Sequence, residues 1–273
     1  MVILLNRIKS FILDRPIKKG NVLKERYRII EVIGEGSYGI TYLATDISTN
    51  TSCVLKQIKP SRRKLEHVTK AFSYEKRILS MLNHPQIPSY RGSLNHNGHQ
   101  FLIMDYVPGC TFEELIFNDG KHFDELMTFN ILQQIVEVIQ YCHELNIIHR
   151  DLRIPNILFN KGKIFIVDFG LARFTNTITH DENNRYYEIE KQLRREIHPN
   201  SDFYALGHFA LFLLYSTFNP QIDEEKSWEE ELQLTDRSRC FLRKLLQLEK
   251  PYLDHKELND DLTELIQYIN TIS

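Results

Sequence analysis

His149-Arg150-Asp151-Leu152-Arg153-Ile154-Pro155-Asn156, followed closely by Asp168-Phe169-Gly170, is the stretch that decides the fold. Asp151 is a carboxylate able to receive a hydroxyl proton, and Asn156 and Asp168 are hard oxygen donors suited to a metal ion. A base and two such donors at this spacing are what moving the terminal phosphoryl group of a nucleotide requires. One triad can arise by chance, so the test is whether the remaining parts lie upstream, in order.

They do. Tyr27-Arg28-Ile29-Ile30-Glu31-Val32-Ile33 reads as a β-branched, aromatic strand, and Ile40-Thr41-Tyr42-Leu43-Ala44-Thr45 as a second. Gly34-Glu35-Gly36-Ser37-Tyr38-Gly39 lies between them. Dinucleotide-binding folds also use GxGxxG, but between a strand and a helix. Between two strands it makes a hairpin flap, whose amides can approach phosphates because glycine has no Cβ. Cys53-Val54-Leu55-Lys56 is a third strand ending in a lysine. A helix over 64–82 follows, with Ile78, Leu79, Met81 and Leu82 suited to one packed face and with Glu75 on it. Gln100-Phe101-Leu102-Ile103-Met104-Asp105-Tyr106-Val107 is a further strand, broken by Pro108-Gly109.

With its segments in this order over 27–215, the chain resembles the eukaryotic-like (Hanks-type) Ser/Thr protein kinases of bacteria. The resemblance implies an α+β, two-lobed protein-kinase-like fold: a small antiparallel β N-lobe with one helix, about 27–106, and a mainly α-helical C-lobe, about 107–273. It implies ATP and Mg²⁺ (or Mn²⁺) as cofactors. Asp151, Arg153, Lys56 and Glu75 are the expected catalytic set, with Lys56 on the α- and β-phosphates and held by Glu75. Asn156 and Asp168 are the expected metal ligands. The expected nucleotide-binding residues are Ile33, Gly34, Glu35, Gly36, Ser37, Tyr38, Gly39, Ile40, Thr41, Val54, Lys56, Met104, Asp105, Val107 and Leu158. Met104 takes the gatekeeper place beside the adenine, and backbone groups of Asp105 and Val107 pair with the base.

The length of 273 residues suits one such domain, and 42% hydrophobic residues suffice for its core. A net charge of −2 gives no basic excess, so nucleic-acid binding is not expected. Cys53, Cys110, Cys142 and Cys240 are scattered without a CxxC, as in reduced thiols of a cytoplasmic protein. No stretch is long and apolar enough to span a bilayer.

The second half reads as helical. An apolar stripe runs over 126–146 (Phe129, Leu132, Ile135, Val136, Ile139, Cys142), and 202–215 is apolar nearly all round, as in a helix at the centre of a core. By the resemblance, Asp202 hydrogen-bonds the backbone of the catalytic loop; as an isolated residue it reads as a helix N-cap. Closing helices are expected over 238–248 and 262–272.

Several features depart from the family. The Ala-Pro-Glu element that ends the activation segment is missing; in its region stands Tyr186-Tyr187-Glu188-Ile189-Glu190-Lys191-Gln192-Leu193-Arg194-Arg195. The arginine that pairs with that Glu is also missing from 248–254. Loss of both partners of a buried pair can be nearly neutral, whereas loss of one strands a charge. Arg153 stands where a lysine is usual, and its planar fork is not equivalent to an ammonium. Thr41 and Val54 stand where Val and Ala usually flank the adenine. The expected reaction is transfer of the γ-phosphoryl group of ATP to Ser/Thr hydroxyls of an unknown protein substrate, with autophosphorylation. The alternatives are a small-molecule or glycan hydroxyl as acceptor, or a nucleotide-binding pseudokinase regulator. Arg150 is the expected receiver of an activation-segment phosphate, with Thr175, Thr177, Thr179, Tyr186 and Tyr187 available to carry it.

Residues 1–26 form an N-terminal segment ahead of the kinase-like region. Met1, Leu4, Leu5, Ile8, Phe11 and Ile12 share a helical face, with Arg15, Lys18 and Lys19 after them. Through residues 1–13 such a basic amphipathic helix can make weak peripheral contact with a membrane surface, or it can cover the lobes as an extra core helix.

Overall fold

The computed structural model describes residues 13–177, 189–218 and 226–272. The chain divides into two units, the first ending at Val107 and the second beginning at Pro108.

The first unit is a six-stranded antiparallel sheet, β1 (Val22–Leu23), β2 (Tyr27–Glu35), β3 (Gly39–Asp46), β4 (Thr51–Ile58), β5 (Tyr90–His96) and β6 (His99–Asp105), in the order β1-β2-β3-β4-β6-β5. One helix, α1 (Glu66–Met81), lies between β4 and β5 in the chain. Side chains alternate between faces of a strand, and in β3 Ile40, Tyr42 and Ala44 go to the buried face. With Leu23, Tyr27, Ile29, Cys53, Leu55, Phe101 and Ile103 they form a core. Asp46 also points inward, where Arg26 answers it through Nε (2.9 Å) and Nη2 (2.7 Å). That guanidinium holds the Asp46 carboxyl well below the usual carboxylate range, against the opposing effect of burial.

The sheet begins upstream of the expected boundary at Tyr27. Val22 and Leu23 pair with Arg28 and Tyr27 across a turn in which Lys24 (φ 49°) and Glu25 (φ 57°) are left-handed. Neither residue type signals such a turn, so the hairpin is invisible in the sequence. The chain before it is tied to the same unit: Ile17 donates its amide to Tyr42 Oη (3.2 Å), and Asp14 accepts from the Ser61 amide (2.8 Å) and hydroxyl (2.6 Å). The amphipathic face of Met1 to Ile12 lies outside the described residues.

The second unit is mainly helical: α2 (Phe112–Phe117), α3 (Glu125–Glu144), α4 (Ile189–Arg195), α5 (Pro199–Leu214), α6 (Trp228–Glu231), α7 (Asp236–Leu245) and α8 (His255–Ile272). Short strands lie among them: β7 (Cys110–Thr111), β8 (Ile147–Ile148), β9 (Ile157–Asn160), β10 (Lys163–Ile166) and β11 (Arg173–Phe174). Thr111 and Glu114 form a capping box on α2, and the Asp124 carboxylate accepts the Met127 amide to cap α3.

Helix α5 is buried on almost every side. It starts at Pro199, three residues before the expected start, because a proline at the first helical position loses no hydrogen bond. The His198 ring accepts the Asn200 amide (3.2 Å) as the cap. Asp202 therefore lies within the first turn and is not the N-cap. Helix α8 likewise starts at His255 and not at 262, because Leu258 extends the buried stripe of Leu262, Leu265 and Ile269 by a turn. Within 248–254, where an arginine is absent, Tyr252 is buried and donates its hydroxyl to Asp261 (2.6 Å). No helix among the described residues is long and apolar enough to cross a membrane.

Candidate active site

In the first unit, strand register gathers one group of candidates. Thr41 lies opposite Lys56, Leu43 opposite Val54, and Val54 opposite Met104. Cross-strand partners share a face, so Thr41, Lys56, Val54 and Met104 lie together on the face opposite the core of Tyr42 and Leu55. Helix α1 reaches this face with Glu75, whose Oε1 lies 2.7 Å from Lys56 Nζ. Glu75 is 5% exposed and Lys56 18%, so the pair is largely shielded from water. The expected partnership between these two residues is formed.

The β2–β3 hairpin carries the three glycines. Register shifts at Ile29/Glu31 and Val32/Gly34 mark bulges that bend β2 just before the turn. A Cβ at Gly39 would meet Gln57 O at 3.0 Å, a contact so tight that the β4 backbone would have to shift to admit a side chain there. At Gly34 the nearest atom is Thr41 Cβ at 3.7 Å, and at Gly36 it is Gly39 O at 4.0 Å. Folding does not require glycine at those two positions. Lys59 pairs with Glu35 of the hairpin (2.8 Å). Ile33 and Tyr38 are exposed there, and Ile40 is in the core. At the other end of the face, the Asp105 amide donates to Ser89 O (3.0 Å), so that N–H has a partner within the unit. The Asp105 carboxylate pairs with Arg91.

In the second unit, Asp202 organises the loop that contains Asp151. It is fully buried, and its carboxylate accepts the backbone amides of His149 (2.8 Å) and Arg150 (2.7 Å) and bonds His143 Nε2 (2.8 Å). Burial alone would raise this carboxyl; the bonds from His143 and the Arg150 amide outweigh it, and the net shift is downward. Arg150 (φ 65°) and Asp168 (φ 63°) both hold left-handed backbone. For residues other than glycine this costs about 1–3 kcal/mol each and persists only where the surroundings impose it.

Asn156 and Asp168 are brought to one end of a hairpin. Ile157 of β9 pairs with Ile166 of β10, and the Val167 amide continues to Asn156 O (2.9 Å). Asn156 turns its amide nitrogen to Asp151 O (2.9 Å) and Oδ2 (3.0 Å), so neither bond uses its side-chain oxygen. The Gly170 amide donates to Asp168 Oδ1 (3.0 Å). No group of three or more His, Cys, Asp or Glu able to hold a metal occurs among the described residues. A carboxylate and an amide oxygen without a closed cage suit Mg²⁺, which is held through one or two carboxylates together with substrate phosphates and water. Leu158 follows on β9, opposite Phe165 and beside Thr111. Arg153 is exposed.

Two partners of the loop went unread in the sequence. Arg195, at the end of α4, lies 3.6 Å from Asp151 Oδ1 through Nη2. Arg150 donates through Nε to Arg195 O (2.7 Å) and through Nη1 to Leu171 O (3.2 Å). Thr175 donates its amide to Asn146 O (2.9 Å) and Thr177 to Phe174 O (2.9 Å), whereas Thr179, Tyr186 and Tyr187 lie outside the described residues.

Comparison with known proteins agrees with this arrangement. Residues 27–271 match the family described as Protein kinase domain. The chain is 36% identical over 265 residues to the "Probable serine/threonine-protein kinase YbdM" of Bacillus subtilis (strain 168), covering 97% of this chain and 99% of that one. It is 33% identical over 203 residues to the serine/threonine-protein kinase PrkC of the same organism, covering 71% of this chain but only 31% of PrkC. Among solved structures, the kinase domain of Mycobacterium tuberculosis PknI aligns with a TM-score of 0.69 at 18% identity, over 92% of this chain and 100% of that one, which shows a shared fold. The order of the sheet, the Lys56–Glu75 pair, the Asp202-anchored loop and these matches together establish that the chain belongs to the protein kinase family.

Proposed function

We infer that this protein transfers the γ-phosphoryl group of ATP to serine and threonine hydroxyls of proteins, itself included. The observation that carries the reading is that Asp151, on a loop whose His149 and Arg150 amides bond Asp202, accepts from Asn156, and that the β9–β10 hairpin brings Asn156 and Asp168 to one end. The Ser/Thr kinases among its relatives support the choice of acceptor.

Each unit supplies its own groups. In the first, Gly34 and Gly36 carry no side chain that would hold phosphate oxygens off the hairpin backbone, and Lys56, aimed by Glu75, binds the α- and β-phosphates. Thr41, Val54 and Met104 form the apolar surface for the adenine, with Val107 and the Asp105 carbonyl as backbone contacts. In the second, Asp151 orients the acceptor hydroxyl and accepts its proton as the oxygen attacks the γ-phosphorus. The bond from that phosphorus to the β–γ bridging oxygen breaks, and ADP leaves. Arg153, exposed beside Asp151, places positive charge near the transferring group. Asn156 and Asp168 would hold Mg²⁺ or Mn²⁺, which supplies neutralisation of phosphate charge when bound.

The test is phosphoamino-acid analysis after incubation with labelled ATP, Mg²⁺ and a basic protein acceptor. Label on serine or threonine, in the acceptor and in the protein itself, is expected. Label confined to tyrosine, or found only on sugars or other small hydroxyl compounds offered in parallel, would overturn the assignment.

A further inference from the structure

Arg150 and Arg195 exchange hydrogen bonds. Arg150 Nε donates to Arg195 O (2.7 Å), and Arg195 Nη1 donates back to Arg150 O (3.4 Å). The same Arg195 fork sets Nη2 3.6 Å from Asp151 Oδ1, while Asn156 Nδ2 holds the other oxygen, Oδ2, at 3.0 Å. Both oxygens of the carboxylate are thereby oriented. An ionised carboxylate has about four lone-pair sites, so these two contacts still leave it able to receive a hydroxyl proton. Among the described residues, the cation paired with Asp151 comes from α4 and not from Arg153 in the loop itself.

The other contacts of Arg150 bear on the segment that follows Gly170. Its guanidinium bonds the carbonyl oxygens of Leu171 and Arg195, which bracket residues 172–194. A phosphate facing an arginine orders a segment by creating charge-assisted bonds; here main-chain carbonyls at both ends of the segment already bond that guanidinium.

We propose that Arg195 is a positioning residue for Asp151, and that its exchange with Arg150 sets the catalytic loop without a phosphate on the segment between them. This rests on the reading of Asp151 as the group that accepts the hydroxyl proton. Arg195 acts only through Asp151 and the Arg150 carbonyl, so its loss slows transfer and leaves nucleotide binding intact. Lysine at 195 keeps one charge near Oδ1 but cannot bond Asp151 and the Arg150 carbonyl through one planar fork.

The full chain is compared with Arg195→Ala and Arg195→Lys, using ATP and a basic protein acceptor. The expected result for Arg195→Ala is a fall of about 10-fold in kcat, the order expected for one lost charge-assisted contact, with the KM for ATP unchanged. Arg195→Lys is expected to lie between Arg195→Ala and wild type. Guanidinium ion at millimolar, non-denaturing concentration should restore activity to Arg195→Ala and not stimulate the wild type, a response that a purely structural defect does not give. Wild-type protein treated with phosphatase, and shown by intact mass to carry no phosphate, should start at its full rate. A rise in kcat for Arg195→Ala would mean that the contact blocks Asp151. An unchanged kcat, a fall that guanidinium does not restore, or a lag until phosphate is incorporated would also overturn the proposal. If the wild type transfers nothing, the kinase reading itself fails, and hydrogen exchange still decides the geometry. Peptides covering 149–153 should exchange faster in Arg195→Ala while those covering 199–214 do not change; equal exchange at 149–153 contradicts the positioning role.

Discussion

His143 Nε2 lies 2.8 Å from Asp202 Oδ2, and on its other side His143 Nδ1 is hydrogen-bonded to His255 Nε2 at 2.7 Å. Through this pair of contacts the first residue of the last helix is connected to the carboxylate that holds the catalytic loop. Replacing Asp202 by alanine removes the acceptor of two backbone amides and of His143 at once. Unpaired buried donors are costly, so Asp202→Ala is expected to destabilise the protein by about 3–5 kcal/mol. Asp202→Asn, which keeps an acceptor oxygen, should lose less. Urea unfolding measures both, and equal stability of Asp202→Ala and wild type would remove Asp202 from this role.

Histidines partly or fully shielded from water set an acid limit on stability. Burial pushes His255 down to about 4, aided by the neighbouring His143, and burial pushes His208 down to about 4, aided by Arg194. His149 is lowered by burial as well. An unfolded chain takes up these protons near the ordinary value of 6.5, so between that pH and about 4 the unfolded state binds more protons than the folded one. Stability therefore rises with pH in this window. It is fully present above about 6.5 and is lost as pH falls toward 4. The melting temperature should drop steadily between pH 7 and pH 5, and less steeply in His208→Gln. A melting temperature that is flat or rising on acidification contradicts this.

Lys56 and Glu75 are expected to act as a unit, because each is nearly shielded from water and faces the other at 2.7 Å. Lys56→Met should lower kcat by about 100-fold, as removal of one preorganised cation on the phosphates does. Glu75→Gln keeps a hydrogen-bond acceptor without the charge and should lose about 10-fold. Rates, with circular dichroism as a check on folding, decide the matter; a fully active Lys56→Met would exclude the assigned contact.

Local patterning made the strands and most helices readable. The alternation of Ile40, Tyr42 and Ala44 and the run from Phe203 to Leu214 state which faces are buried. The order of Lys56, Glu75, Asp151, Asn156 and Asp168 made the candidate site readable, because their spacing follows from strands and turns of definite length. What escaped depends on partners distant in the chain. Asp202 read equally well as a cap until Pro199 proved to start the helix and the His149 and Arg150 amides proved to be its partners. The Lys24-Glu25 turn lacks the usual residue types, so β1 left no mark. Arg195 reads as one more charge in a polar stretch; its meaning comes from standing beside Asp151, 44 residues away in number and 3.6 Å in space.

Close packing of two helices fixes Gly207. A Cβ there would lie 2.9 Å from Leu246 Cδ2 and 3.1 Å from Leu245 Cβ, so α5 approaches the end of α7 only because this residue has no side chain. Gly207→Ala should destabilise by about 1–3 kcal/mol through overpacking, despite the better helix propensity of alanine. Thermal denaturation tests it, and an increase in melting temperature would show that the two helices separate freely.

The central claim is that Asp151 handles the acceptor proton while other groups bind the nucleotide. The most direct measurement compares wild type with Asp151→Asn for transfer from labelled ATP to a protein acceptor, together with ATP affinity by calorimetry. The account predicts that transfer is abolished and affinity is retained. Transfer at the wild-type rate by Asp151→Asn would contradict it, and loss of ATP binding along with transfer would show that Asp151 serves the structure and not the proton.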